Sequence, residues 1–268
     1  MTKRFKQALF YSALAVFLVL SYVIILYAQG YKYSFSDARF YRTGAVYLKT
    51  NISADVYLDN ELLGNTSFFN NSYRIEGLLP GDYAIRVQKN DYSTWQKSVT
   101  VDEGFVSEFS KILLLPRDEK GMEELDNEIA LIFPAPTPTP KPSTTPIPTS
   151  TVEPFVIKKG ILSITTEKLF DNAQSNPEKI AENVKGFILS KDKNKLVWWT
   201  ANEVWVVWLN DANYQPYRKQ GDKELITRFS IQIKKVAWFR GDDHLILDTG
   251  YFNILEIDTR GGINIETF

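Results

Sequence analysis

Residues 8–28 read ALFYSALAVFLVLSYVIILYA, and this stretch decides where the remainder of the chain is placed. No charged residue lies between Lys6 and Lys32. Twenty-one residues at a helical rise of about 1.5 Å make roughly 31 Å, which matches a bilayer hydrocarbon core of about 30 Å. Twelve of them are Leu, Ile, Phe or Val. Each contributes about −0.3 to −0.6 kcal/mol at a membrane centre, enough to carry Ser12, Ser21 and the tyrosines. Tyr11 and Tyr27 fall near the two ends, where aromatic rings suit the headgroup layer. The stretch is expected to be a transmembrane helix.

Charge sets the expected orientation. Lys3, Arg4 and Lys6 precede the span without an acidic residue, while Lys32 and Arg39 are offset by Asp37 after it. Positive charge stays on the cytoplasmic side, so residues 1–7 form a cytoplasmic tail and everything after Gln29 lies outside. The competing expectation is a cleaved signal peptide. Its apolar core runs about 7–15 residues and ends in an A-x-A-like site. Here the run is longer and Leu26 precedes Ala28 by two, so an uncleaved anchor in the cell membrane is preferred.

The 268-residue chain has no cysteine, which removes disulfides and thiolate chemistry. Its 31 basic and 32 acidic residues argue against nucleic acid as a partner. Aromatic residues make up 14%, which suits β structure. Less the anchor, the length leaves room for about two domains.

Residues 29–43 form a polar, aromatic juxtamembrane segment. From Gly44 the hydrophobic period becomes two. In ADVYLDN (54–60), Ala54, Val56 and Leu58 share a face. In GDYAIRVQKN (81–90), Tyr83, Ile85 and Val87 do so, and in KSVTVDEG (97–104) Val99 and Val101. Such alternation predicts antiparallel strands with one buried face. Turn chemistry separates them at Asp59-Asn60, Gly64-Asn65, Asn70-Asn71, Pro80-Gly81, Asn90-Asp91 and Glu103-Gly104. Residues 44–116 are therefore expected to form a small β-sandwich.

The order of these elements resembles the PEGA domain family over residues 44–115. The likeness rests on the opening strand GAVYLKT, ADVYLDN with Gly64-Asn65-Thr66 after it, LLPGDYAIRV, the aromatic-containing DYSTWQKSVTV, and Gly104 before a closing apolar strand. The name-giving tetrapeptide falls on Asn51, Ile52, Ser53 and Ala54, of which only Ala54 matches, and Thr66-Ser67 stands for the family's Thr-Pro. The resemblance implies an extracytoplasmic β-sandwich of microbial surface proteins without a catalytic set.

Within this stretch Gly81 is expected to take a positive φ after Pro80. Tyr92 and Trp95 are the candidate ligand-contact aromatics, as a stacking platform for sugar or peptide; the competing role is to cap the sandwich core. Asp59, Asp82, Asp91 and Asp102 fall singly in different turns, without the clustered spacing of a calcium loop. No metal, cofactor or catalytic residue is assigned.

Residues 117–154 read as a connector. Met122, Leu125 and Ile129 are spaced for helical turns packing on a neighbour. PAPTPTPKPSTTPIPTSTVEP (134–154) then carries eight prolines and suggests an extended spacer. At about 3.1 Å per residue it reaches roughly 65 Å.

Residues 155–268 carry five of the six tryptophans and an internal echo. VKGFILSKDKNKLVWWTANEVWVVWL (184–209) aligns with IKKVAWFRGDDHLILDTGYFNILEID (233–258). At an offset of 49, Phe187 meets Val236, Leu196 meets Leu245, and Trp205 meets Ile254. Strand repeats of this length resemble β-propeller blades. Only two or three blades fit, short of the four to eight of a closed propeller, which would expose edge strands and a Trp-rich face. Truncation is the favoured explanation; completion by another copy or a partner, and a simple sandwich, are the others.

The single histidine, His244, reads as a turn residue. No G-x-S-x-G, H-E-x-x-H, P-loop or G-x-G-x-x-G occurs. The expected fold class is mainly β: an N-terminal transmembrane helix, a PEGA-like sandwich, a Pro-rich linker and incomplete propeller-like repeats. The expected function is a non-catalytic, membrane-anchored surface protein whose modules bind cell-wall glycan or an envelope protein. An envelope scaffold and a hydrolase on a propeller platform are the alternatives.

Overall fold

A computed structural model describes residues 3–134, 155–164 and 178–268. The chain is mainly β with one long apolar helix at its start. Helix α1 (Lys3–Ala28) has no buried residue along its 26 positions. It is long and apolar enough to cross a membrane. A signal sequence would meet the same description.

The chain divides into two compact units. The first comprises residues 1–85 and 98–112, and the second residues 86–97 and 113–268.

In the first unit, the juxtamembrane segment is a hairpin of β1 (Tyr31–Ser34) and β2 (Arg39–Arg42), with Tyr31 opposite Arg42. Thr43 closes its base by donating both its N–H and its hydroxyl to the Gly30 carbonyl, each at 2.8 Å. Seven strands follow: β3 (Gly44–Thr50), β4 (Asp55–Leu58), β5 (Glu61–Asn65), β6 (Ser72–Leu78), β7 (Gly81–Gln88), β8 (Trp95–Val101) and β9 (Val106–Ile112). They form one sheet of order β6-β3-β9 and another of order β5-β4-β7-β8. Strands β7 and β8 run on into the second unit.

The period-two reading holds here. Val56, Ile85, Val99 and Val101 are buried, and the Pro80-Gly81 turn places Gly81 at φ 154°. Two features escape it. Strand β3 pairs antiparallel with β6 but parallel with β9, and as the central strand it buries five of its seven residues. In β8 alternate residues are buried without a break, and the second of them is Lys97.

The second unit begins with residues 86–97. Leu115 holds Ser93 at both ends, its carbonyl accepting the Ser93 N–H at 2.7 Å and its own N–H donating to Ser93 Oγ at 2.9 Å. Helix α2 (Glu119–Ile132) starts at Asp118, whose carboxylate accepts the Gly121 N–H. Such a cap is worth about 1 kcal/mol. Leu125 and Ile129 are buried and Met122 is partly so, on the face their spacing implied.

Three antiparallel meanders follow. The first is β10 (Phe155–Lys158), β11 (Ile161–Ile164) and β12 (Glu178–Ala181). The second is β13 (Gly186–Leu189), β14 (Lys195–Trp199), β15 (Glu203–Trp208) and β16 (Lys223–Arg228). The third is β17 (Lys235–Trp238), β18 (His244–Asp248), β19 (Phe252–Glu256) and β20 (Ile265–Thr267). Leu196, Trp198 and Val207 pack with Phe155, Leu162 and Ile164 of the first meander. Trp199, Val206 and Trp208 point the other way, against Val236, Leu245 and Leu255 of the third. The far face of the third, with Ile246 and Ile254, packs on Leu125 and Ile129 of α2. The layers are thus blade-like sheets stacked face to face, and among the described residues they form no closed propeller.

This arrangement corrects the expected Trp-rich exposed face. Trp198, Trp199 and Trp208 are buried between layers, and Trp205 and Trp238 are partly buried. It also corrects the echo by one residue. Gly186 pairs with Trp199 as Lys235 pairs with Asp248, so the offset of 49 holds across the first hairpin. In the next hairpin Leu196 pairs with Val207 but Leu245 with Leu255. The equivalent of Val207 is therefore Leu255 and that of Trp205 is Asn253, while Ile254 faces α2.

Lys97 is neutralised in this unit. Its ammonium, 0% exposed, lies 2.9 Å from Glu256 Oε1. It also donates to the carbonyls of Asp258 and, at 2.8 Å, Gly262. Glu256 Oε2 accepts the Trp95 indole N–H at 3.1 Å, and Oε1 accepts the Asn264 amide at 2.7 Å. Removing one partner of a buried pair costs about 3–5 kcal/mol, because the other charge is stranded. Glu256→Gln should lower the unfolding free energy by an amount in that range, read as a lower urea midpoint at unchanged slope. All six tryptophans lie in the second unit, so tryptophan fluorescence reads the loss.

Candidate functional site

The two residues expected to contact a ligand are in different situations. Trp95 is 2% exposed and its N–H is spent on Glu256, so it presents no ring face to solvent. Tyr92 is half-buried, bridges Pro116 through the backbone, and carries the Lys89 ammonium 5.3 Å from its ring centre. Asp59 accepts the Ala84 N–H and Asp82 accepts the Thr100 hydroxyl. Among the described residues no three His, Cys, Asp or Glu side chains come together as a metal set. His244 is buried at the head of β18, not in the turn before it.

Each unit has its own concave site. In the first unit a cavity of about 490 Å³ lies where α1 ends, bounded by Tyr27, Lys32, Arg42, Arg74, Glu76 and Phe105. Its floor includes Gly44. A Cβ there would fall 2.5 Å from Val101 Cγ1 and 2.6 Å from the Asp102 carbonyl, so only glycine fits. Arg74 pairs with Glu76 at 2.8 Å, two residues along β6. Lys32 and Arg42 have no ion pair among the described residues. Phe105, at the rim, is 69% exposed. The sequence of residues 29–43 shows only a polar, aromatic segment; the hairpin that sets Tyr31 opposite Arg42 and Lys32 opposite Tyr41 follows from Gly30, at φ 85°, and the turn between the strands.

In the second unit a larger cleft of about 880 Å³ lies between the first two meanders, bounded by Lys159, Lys185, Asn202, Glu203, Arg228 and Phe229. Glu203 accepts the Trp205 indole N–H at 2.9 Å and two N–H groups of Arg228. These bonds, the indole's first, hold its carboxyl below the ordinary carboxylate range. Asn202 donates to the carbonyls of Phe229 and Ile231, fixing the wall. Lys159 and Lys185 carry no ion pair among the described residues.

Away from the cleft, the charged turns of the second and third meanders meet. Asp242 accepts the N–H groups of Lys191 and Asp192, at 2.9 and 3.0 Å. Lys195, the positional equivalent of His244, is 1% exposed and lies 3.2 Å from Asp243 and 2.9 Å from the Tyr214 hydroxyl. Burial alone would lower its pKa, but Asp243 and Tyr214 outweigh it and the net shift is upward.

Residues 43–114 match the PEGA domain family. PEGA domains are β-rich and often extracellular, which is compatible with a surface protein. No curated protein matches the chain. The PEGA segment keeps a use for Thr66 despite the departures around it. The Thr66 hydroxyl accepts the buried Ala54 N–H at 3.0 Å, and the Thr66 N–H donates to the Ala54 carbonyl at 2.8 Å. The one matching residue of the tetrapeptide is thereby held.

Two outcomes are expected. Thr66→Val keeps the shape but strands the Ala54 N–H, at a cost of about 1–3 kcal/mol, and should speed hydrogen exchange at that amide. For Lys195, a pKa raised above 10.5 means its contribution is complete below pH 10.5 and is lost as pH rises through the folded value. The gap in urea midpoint between the parent and Lys195→Met should stay constant from neutrality to about pH 9 and close in stronger alkali.

Proposed function

We propose that the chain is a non-catalytic, single-pass envelope protein, with residues 1–7 cytoplasmic, residues 8–28 in the bilayer and the β units outside. The observation that carries this reading is α1, an unburied apolar helix that runs directly into a hairpin and a segment matching an often extracellular domain. The basic residues before the span favour that orientation. A non-catalytic role is supported by the position of the single histidine, buried at the head of a strand.

The ligand we assign to the second unit is cell-wall glycan, bound in the cleft between its first two meanders. The volume, the Phe229 ring, the carboxylate of Glu203 and the spare cations Lys159 and Lys185 suit a polyhydroxylated chain bearing anionic groups. A second reading is self-assembly. Edge strand β5 exposes Leu62 and Leu63, and Phe68 and Phe69 beyond it are almost fully exposed.

Detergent-solubilised full chain, incubated with purified wall material, should be retained, and Lys159→Gln/Lys185→Gln should weaken retention several-fold. Equal retention of parent and variant would remove the cleft assignment. A molar mass above the monomer in detergent, reversed by Phe68→Ser/Phe69→Ser, would favour self-assembly. Protease added to intact cells should digest the β units; their protection until lysis would overturn the topology.

A further inference from the structure

The cavity at the end of α1 has a chemistry of its own, and its interpretation rests on the membrane reading above. Tyr27, in the last helical turn, forms part of its wall. A bilayer has a hydrocarbon core of about 30 Å within a total of about 40–45 Å, which leaves a headgroup layer of about 5–7 Å on each side. That depth is close to one helical turn of 5.4 Å. A cavity that begins within a turn of the apolar helix therefore opens into the headgroup layer.

Its charge is unbalanced. Glu76 is engaged by Arg74, whereas the Lys32 ammonium and the Arg42 guanidinium form no ion pair among the described residues. Both side chains are exposed, so neither is held in place by burial. The Arg42 backbone N–H donates to Glu103 Oε1 at 2.9 Å, which fixes the strand and leaves the guanidinium available. A guanidinium and an ammonium lining one hollow, Arg42 beside Gly104 and Lys32 beside Gly77, suit an anionic phosphate group, through charge-assisted hydrogen bonds.

The neighbouring aromatics fit the same depth. Tyr27 meets Phe40 edge-on at 6.2 Å, Phe40 meets Tyr33 at 5.1 Å, and Tyr33 meets Phe35 at 5.1 Å. Phe35 at the end of this chain is 90% exposed. On the opposite rim Phe105 is exposed as well. Apolar rings flanking a cationic hollow match the boundary between acyl chains and headgroups.

We propose that this cavity binds the phosphate of an anionic lipid headgroup, with Lys32 and Arg42 as its ligands. A zwitterionic headgroup carries its own cation beside the phosphate and would compete poorly against them. Free phosphate offers the same anion, so the lipid and the inorganic ion are separated by experiment.

Full chain is reconstituted in nanodiscs of mixed phosphatidylglycerol and phosphatidylcholine, and retained lipid is read by native mass spectrometry. Retention of phosphatidylglycerol over phosphatidylcholine is expected. Lys32→Gln/Arg42→Gln should weaken it about tenfold, the scale of one charge-assisted hydrogen bond. Lys49→Gln, an exposed change at the far end of β3, should leave it unchanged. Displacement of the lipid by millimolar inorganic phosphate supports the phosphate site while making the free ion an occupant, and persistence assigns the site to lipid. Equal retention of both lipids, or no effect of the double substitution, overturns the proposal. Release of the chain from membranes by alkaline carbonate would instead refute the anchor, and phosphate titration of the released protein would still read the cavity.

Discussion

A lysine on the buried side of a strand imposes the constraint on which the second unit depends. An isolated ammonium in an apolar interior is prohibitively costly, so Lys97 must find a full set of acceptors or stay in water. It finds three: the Glu256 carboxylate and the carbonyls of Asp258 and Gly262. Glu256 in turn has both oxygens engaged, by Trp95, Asn264 and Lys97. Desolvation offsets much of the Coulombic gain of such a pair, so its net stabilisation is modest. Its larger effect is on alternatives. Any register of β8 or β19 that separates the two residues leaves a bare charge inside. With the Ser93–Leu115 bonds, the pair holds residues 86–97 in a unit whose remaining members begin at residue 113.

The same physics decides how much the amino-acid string reveals. Alternation was legible in the PEGA segment where a strand buries one face, as β7 and β8 do. It failed in the distal part because both faces are covered. KLVWW in β14 is buried at all five positions, and such a run carries no period to read. The echo at offset 49 still located the strands, since the turns at residues 190–195 and 239–244 close with the same backbone bond, 190 to 195 and 239 to 244. It could not reveal the slip in the following hairpin, because Ile254, next to the true equivalent Asn253, is apolar and satisfies the hydrophobic match to Trp205. The charge at Lys97 broke its strand's pattern visibly, but its partner lies 159 residues away in β19. Nothing local points there. The two cavities were equally hidden, since their cations only become neighbours once hairpins and meanders form.

The face of the third meander that turns away from the second is apolar, with Ile246 and Ile254, and needs a cover. Here α2 fills that role. Its mean character is polar, with Leu125 and Ile129 on one side and Glu128 reaching Arg240 at 2.7 Å on the rim. Burying Leu125 and Ile129 contributes about 1.5–3 kcal/mol each. Phe133 adds a stacked contact with Phe252, ring centres 5.7 Å apart. An amphipathic helix can cover a twisted sheet without pairing to its edges, so it shields Ile246 and Ile254 while demanding no backbone register.

This placement changes what the proline-rich stretch has to accomplish. Residues 135–154 lie outside the described residues, but the residues on either side do not. Helix α2 ends at Ile132 on the third meander, and Phe155 begins the first, both within one unit. A segment joining two points of the same unit closes a loop, and its length is governed by closure entropy instead of by reach. That cost grows only as the logarithm of length, about 0.6 kcal/mol for each doubling. Proline lowers it further by restricting the unfolded chain. The composition that looks like a spacer is therefore equally suited to a long connection between two points of one unit.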